Sequence, residues 1–381
     1  MLIVRNSRFA LSTIFAVNGA LFGTWASRIP AISNIHDLSP ATLGFLIFLA
    51  GSSAVVAFSI FGRAADRYGA AYVTKRATCL LIPLTLIFIA YANSIWMLAA
   101  AMIFFGGIHG GVDVSMNAWA AEIERKNDRP IMSSFHAMWS LGAGIGAGIG
   151  AILASYNIGI QMHFTIISIV IFLVILSILS IPFHSEKKER ENNAPFISIP
   201  KGPLLSVAFI TFFASLGEGA VADWSAIFLI SVASINDGSA ALGFTVFSIC
   251  MFAMRLMGDK IAFKFGPSKT ARYSGLVALT GSIILLLFES LTPLLIGFSL
   301  IGLGIAVIIP LAFSRAGNDK NVSQGKAIAS IATLGYGGML LGPLFVGFIA
   351  EATSIKTSFF ILPLLTLLIF LLSKHLSIKS Q

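Results

Sequence analysis

Runs of about twenty apolar residues recur along the whole chain, and each is long enough to cross a hydrocarbon core of about 30 Å as a helix. We place twelve such spans at about 9–29, 39–62, 73–93, 95–121, 132–155, 160–182, 203–231, 239–259, 270–289, 292–315, 325–351 and 355–374. Lipid offers no partner for backbone polar groups, so a spanning segment must be a helix or a strand of a closed barrel. None of the runs alternates with the period of two that barrel strands show. The sequence therefore predicts an all-α membrane protein.

The formal charge of +9 is explained by membrane topology. If both termini are cytoplasmic, only Arg28 and Lys356 of the 25 basic residues fall on the outer side, and Arg255 is counted with the inner set. Such an inner excess of Lys and Arg is what the positive-inside rule describes. The charge therefore gives no support for a nucleic-acid partner. A cleaved secretory signal in place of the first span is the alternative, but it would spoil this distribution.

Two similar halves flank the longest polar stretch, "HSEKKERENNAP" at 184–195. This stretch predicts a first six-helix bundle at 1–183, a cytoplasmic linker at 184–201 and a second bundle at 202–381. "DLSPATLGFLIF" (37–48) and "DGSAALGFTVF" (237–247) open the second span of each half. The fifth span of each half is rich in glycine, which favours close helix packing, with a hinge role as the lesser alternative. These interface glycines are Gly142, Gly146, Gly150, Gly338 and Gly342.

A charged segment, "GRAADRYG" at 62–69, joins the second and third spans. Its polar and glycine positions are Gly62, Arg63, Asp66, Arg67 and Gly69. We expect Gly62 to allow close helix approach and Asp66 to meet a positive group or a helix N-terminus. The alternative is a generic charged turn.

Polar residues inside the fourth span form one stripe, because His109, Asp113 and Asn117 are spaced four residues apart. His136 and Trp139 in the fifth span are expected at a similar depth. Ionisable groups within a span are costly, which favours a functional role. The cluster could bind a proton and a polar substrate. A purely structural network of hydrogen bonds is the alternative.

The seventh span contains two carboxylates, Glu218 and Asp223. At 1.5 Å per residue Glu218 is near the middle of the membrane, and Asp223 lies about 7.5 Å further out and rotated by about 140°. We expect Glu218 to contact substrate or carry a proton. Asp223, beside Trp224, is predicted to form an external gate with Arg28, with static packing as the alternative.

The first span adds an amide and an aromatic residue on one face. Asn18 and Trp25 are seven residues apart, which is about two helical turns. Such residues are typical of a cavity for a sugar or another polar solute. Trp25 would serve equally well as an anchor at the membrane interface.

Four separated motifs together resemble a known family. They are "WASRIPAI" (25–32), "DVSMNAWAAEIE" (113–124), "FHAMWSLG" (135–142) and "GEGAVADW" (217–224), and the resemblance is to the YbjJ-like branch of bacterial inner-membrane transporters in the major facilitator superfamily. This branch is loosely akin to the fucose permease group. The resemblance implies two parallel six-helix repeats, alternating access and an inner-membrane location. It marks Arg28, Asp113 with Asn117, His136 and the Glu218/Asp223 pair as family positions, although the branch often has Glu where Asp113 stands.

These observations predict a monomeric, proton-coupled secondary transporter that moves a small polar solute, perhaps a sugar, across the lipid bilayer. Sodium is the alternative coupling ion. A drug or metabolite exporter of the same fold is the alternative function, and a membrane receptor or scaffold without flux is the alternative of another class. No nucleotide-binding loop or metal-ligand pattern is present in the sequence, so we predict no enzyme activity, no cofactor and no metal.

Overall fold

The computed structural model describes residues 2–127, 131–183, 185, 200, 202–319 and 324–377. These residues contain twelve helical segments that are long and apolar enough to span a membrane, and no strand. The predicted all-α fold with twelve spans is therefore confirmed. Most of the predicted linker, 184–201, lies outside the described residues.

The chain divides into two compact units. The first comprises 1–192 together with 236–241, and the second comprises 193–235 and 242–381. The first unit thus includes a six-residue segment that we had predicted to begin the eighth span of the second bundle.

The helices of the first half are α1 (Leu2–Ser27), α2 (Ile29–Ile35), α3 (Pro40–Tyr68), α4 (Ala70–Leu80), α5 (Ile82–Ala90), α6 (Ile95–Asn127), α7 (Met132–Ser155) and α8 (Ile160–Leu179). The helices that follow are α9 (Pro203–Ala233), α10 (Asp237–Ala240), α11 (Leu242–Phe265), α12 (Pro267–Leu287), α13 (Leu291–Ile305), α14 (Ile308–Gly317), α15 (Gln324–Ala352), α16 (Ile355–Ser358) and α17 (Ile361–Leu372), with a 3₁₀ turn at Ser373–Leu376.

Several spans are built from two consecutive helices, and proline helps to set the breaks. Pro83 follows the break between α4 and α5, where its missing N–H leaves the preceding turn without a backbone hydrogen bond. Two long helices also extend past their predicted ends, because α3 continues to Tyr68 and α11 continues to Phe265. The second extension places Arg255 well inside a span.

Glycines bring α1 and α7 of the first unit into backbone contact. A methyl group at Gly142 would overlap the backbone oxygen of Ala16, and one at Gly146 would overlap that of Ala20. Gly150 faces the Ser27 side chain in the same way. The packing agrees with small residues acting at a helix interface.

The second unit repeats this arrangement between α9 and α15. A methyl group at Gly338 would overlap the backbone oxygen of Phe212, and one at Gly342 would lie 3.1 Å from the backbone oxygen of Leu216. Glycine is thus required at Gly338 for the observed distance between the two helices.

The expected role of Gly62 is wrong, whereas Gly69 has a clear conformational reason. A methyl group at Gly62 would meet no atom within 4 Å among the described residues, so this glycine does not allow a close approach. Gly69 forms the turn between α3 and α4 with a φ of 96°, a region that favours glycine. An added Cβ there would also lie 2.9 Å from Ser185 Cβ. The partner predicted for Asp66 stays a prediction.

Opposite effects on stability are expected for the same substitution at Gly142 and Gly62. Gly142→Ala should lower the free energy of unfolding by about 1–3 kcal/mol, because the new methyl group forces α1 and α7 apart. Gly62→Ala should raise it by about 0.5–1 kcal/mol, because alanine favours the helix and meets free space. Thermal unfolding of the two purified variants measures both. Equal shifts would contradict the assigned packing.

Candidate functional site

The polar stripe predicted on the fourth span lies on α6 of the first unit. His109, Asp113 and Asn117 are all half-buried along this helix. The Asn117 amide donates to Asp113 Oδ1 at 3.2 Å and to the Asp113 backbone oxygen at 2.9 Å. The amide therefore fixes the carboxylate on one side while part of the side chain remains accessible.

Aromatic rings surround His109 and connect it to other predicted site residues. The imidazole stacks on Phe105 at 5.7 Å with an interplanar angle of 9°, and its centroid is 5.8 Å from that of Phe22. Phe22 also contacts Trp139 at 5.8 Å, and Phe105 contacts Trp25 at 5.7 Å. Two phenylalanines that the sequence analysis did not single out thus link His109, Trp139 and Trp25.

His136 and Asn18 border this cluster. His136 lies edge-on to Phe15, with ring centroids 5.5 Å apart. Asn18 is fully buried, and its amide nitrogen lies 3.9 Å from Met116 Sδ on α6. The Asn18 carbonyl oxygen has no hydrogen-bond partner among the described atoms. Asn18 is therefore a buried residue between helices, whereas the half-buried His109, Asp113 and Trp139 are accessible to a solute.

Arg28 is held within the first unit by neutral acceptors. Its Nε donates to His163 Nδ1 at 2.9 Å, and one Nη donates to the backbone oxygen of Ile158 at 2.9 Å. A guanidinium can only donate, so His163 Nδ1 must carry no proton and the imidazole is neutral in this arrangement. The sequence signal for His163, a histidine near the start of an apolar span, was available but unused.

Burial lowers the pKa of the Arg28 guanidinium, and the negative charge of Asp237 partly opposes this effect. Arg28 nevertheless stays protonated at neutral pH, because its ordinary pKa is so high. Asp237 belongs to the segment 236–241, which is grouped with the first unit. Asp223 belongs to the other unit, and its predicted pairing with Arg28 stays a prediction.

In the second unit Glu218 forms an ion pair with Arg255. The distance between Arg255 Nη2 and Glu218 Oε1 is 3.6 Å, and the two side chains are 9% and 19% exposed. Counting Arg255 as cytoplasmic was wrong, because α11 continues for ten residues beyond it and the residue lies in the span. The apolar residues on both sides of Arg255 were the sequence signal for this position.

The two carboxylates of α9 have different surroundings. Asp223 is buried, with 6% of its surface exposed, and Trp224 beside it is fully buried. In the described part of its own unit Asp223 takes part in no ion pair. Glu218 is therefore the carboxylate of α9 that is both paired and reachable.

Comparisons with known proteins agree with this arrangement. Residues 9–322 match the family model described as Major Facilitator Superfamily. The chain belongs to this superfamily. It is 39% identical to the uncharacterized transporter y4wD of Sinorhizobium fredii (strain NBRC 101917 / NGR234), over 94% of this chain and 95% of that protein. It is 31% identical to an uncharacterized MFS-type transporter of Yersinia pestis, over 93% and 91% of the two chains.

The superfamily transporter also matches solved structures. The crystal structure of the nucleoside transporter NupG has a TM-score of 0.74, with 16% identity over 97% of this chain and 99% of that chain. This likeness concerns the fold. The protein is thus a multi-pass membrane transporter and not an enzyme. Among the described residues, no group of three His, Cys, Asp or Glu is placed to hold a metal ion.

Proposed function

We propose that this transporter moves a small polar solute by alternating access and that the movement is coupled to protons. The observation that carries the proposal is the Glu218–Arg255 ion pair inside the membrane spans. Charged side chains there cost several kcal/mol each, so they are retained mainly where they act on a substrate or ion. A stable bundle does not need them.

The pair offers a physical route to coupling. At 3.6 Å the carboxylate and guanidinium attract each other without a short hydrogen bond. Protonation of Glu218 removes this attraction and leaves the Arg255 donors available to a polar group of the solute. Loss of the proton restores the pair and displaces the solute. Binding of the proton and the solute is then linked.

The first unit supplies a second set of groups. Asp113 with Asn117 can accept and donate hydrogen bonds, and the rings around His109 present flat apolar surfaces. Flat faces beside hydrogen-bonding groups suit a sugar or a metabolite of similar polarity. We propose Asp113 as a second proton carrier.

The finer family placement is also a proposal. The four motifs favour the YbjJ-like branch and a loose kinship with fucose permeases. We likewise propose a monomer in the bacterial inner membrane with both termini cytoplasmic, on the strength of the basic residues that flank the spans. The polar stripe on α6 disfavours a multidrug exporter.

Substrate-driven proton movement tests the function. A thermal-shift screen of sugars, nucleosides and other polar metabolites on the purified protein first identifies a ligand. That ligand is then added to proteoliposomes containing a pH-sensitive dye, in sodium-free buffer. We expect the internal pH to change with the wild type and not with Glu218→Gln.

Two results would contradict the proposal. A response that requires sodium would replace the coupling ion. Stable ligand binding without movement of solute or protons, together with a protein partner, would favour the receptor alternative.

A further inference from the structure

A cavity outside the candidate site opens between α4 and the chain that follows α8. Its volume is about 460 Å³, and all of its walls belong to the first unit. The lining combines two cations, Lys75 and Arg76, with apolar residues such as Leu80, Leu179 and Phe183. It contains no carboxylate.

The two cations are held in place by neutral groups. Lys75 is buried, with 8% of its surface exposed, its ammonium donates to the backbone oxygen of Ile181, and it lies 5.4 Å from the centre of the Trp119 ring. The Arg76 guanidinium lies over Tyr72 at 3.9 Å. Within the ranges that the structure covers, neither cation is paired with a carboxylate. Their positive charge is therefore not neutralised by described residues.

A third cation lies near the cavity. Lys126, near the end of α6, is exposed and lies 4.6 Å from the centre of the Phe183 ring. Lys75, Arg76 and Lys126 thus bring positive charge to one end of the bundle, where the third span begins and the sixth span ends. The charge is placed at the level of a membrane surface.

The walls of the cavity change character along α4. Tyr72 and Arg76 lie near its first turns, and Leu80, 60% exposed, lies one turn further into the span. A ligand that fits such a gradient carries a negative group at one end and hydrocarbon at the other. Basic pockets between spanning helices on the cytoplasmic side bind anionic headgroups in this way.

We propose that this cavity binds the headgroup of an anionic phospholipid, with its phosphate between Lys75 and Arg76 and its acyl chains along Leu80 and Leu179. The site is separate from the candidate transport residues and does not depend on the identity of the solute. The free phosphate ion shares the headgroup chemistry but not the acyl chains, so the two sources can be distinguished.

The full-length protein in neutral detergent tests the site. Dioleoylphosphatidylglycerol, dioleoylphosphatidylcholine and inorganic phosphate are added separately, and thermal unfolding and native mass spectra are recorded. We expect phosphatidylglycerol alone to raise the unfolding temperature and to remain bound. Arg76→Gln should weaken its binding about fivefold, since one cation near the surface is lost.

Variants separate binding from folding. Lys75→Gln removes a buried cation and can harm folding, so Arg76→Gln, at the accessible rim, is the main variant. Lys264→Gln removes an exposed cation of the other unit and should leave the binding of phosphatidylglycerol unchanged. Equal stabilisation by both lipids, equal stabilisation by phosphate, or unchanged binding in Arg76→Gln would each overturn the proposal.

Discussion

Glu218→Gln is expected to lower the free energy of unfolding by about 3 kcal/mol and to abolish proton-coupled transport. Removing one partner of a buried ion pair costs about 3–5 kcal/mol, because the remaining charge loses its counterion. The lower value applies because Glu218 is 19% exposed and keeps some contact with water. Thermal unfolding of the purified variant and proton flux in proteoliposomes measure the two effects.

A double-mutant cycle isolates the pair from other effects of each substitution. Arg255→Gln should also destabilise the protein, and Glu218→Gln combined with Arg255→Gln should be more stable than either single variant. Transport should stay low in all three, because proton binding is lost. Additive destabilisation in the double variant would contradict a direct interaction between the two side chains.

An exposed ion pair of the same unit provides the matched control. Lys356 Nζ donates to Glu289 Oε1 at 2.7 Å, and this hydrogen bond lowers the pKa of the Glu289 carboxyl. Any stabilisation by this pair is present above the ordinary pKa of a glutamate and is lost as the pH falls through the lowered value. Because surface pairs contribute little, Glu289→Gln should leave the unfolding temperature at neutral pH unchanged.

Local hydropathy predicted the spans, because crossing a membrane depends on an uninterrupted apolar length. The same local view misplaced Arg255. Loop charge is counted near the ends of predicted spans, and α11 extends six residues past the predicted end at 259. A basic residue between apolar neighbours was therefore assigned to the cytoplasm.

Contacts with neutral groups are the part that the sequence cannot supply. A search for charged partners led from Arg28 to Asp223, whereas the structure gives Arg28 an imidazole nitrogen and a backbone oxygen. Phe22 and Phe105 were missed for a related reason, because phenylalanine in an apolar span has no contrast with its neighbours. Such contacts depend on which helix faces are brought together.

Asp113→Asn is expected to abolish uphill accumulation of the solute while leaving exchange across the membrane intact. Asparagine keeps the size of the side chain and an oxygen that accepts from Asn117, so stability should change by less than about 0.5 kcal/mol. It cannot bind and release a proton. A proton gradient then has no hold on this site, whereas exchange of solute for solute requires no net proton movement.

The comparison of two transport modes decides the role of Asp113. Uptake into proteoliposomes is measured with an imposed proton gradient and, separately, as counterflow without one. Asp37→Asn is the control, because it makes the same chemical change at an exposed residue of the same unit, and its φ of 47° suits asparagine. This control should retain both modes. If Asp113→Asn also retained gradient-driven accumulation, Asp113 would not be a proton carrier, and loss of both modes would instead indicate that it binds the solute.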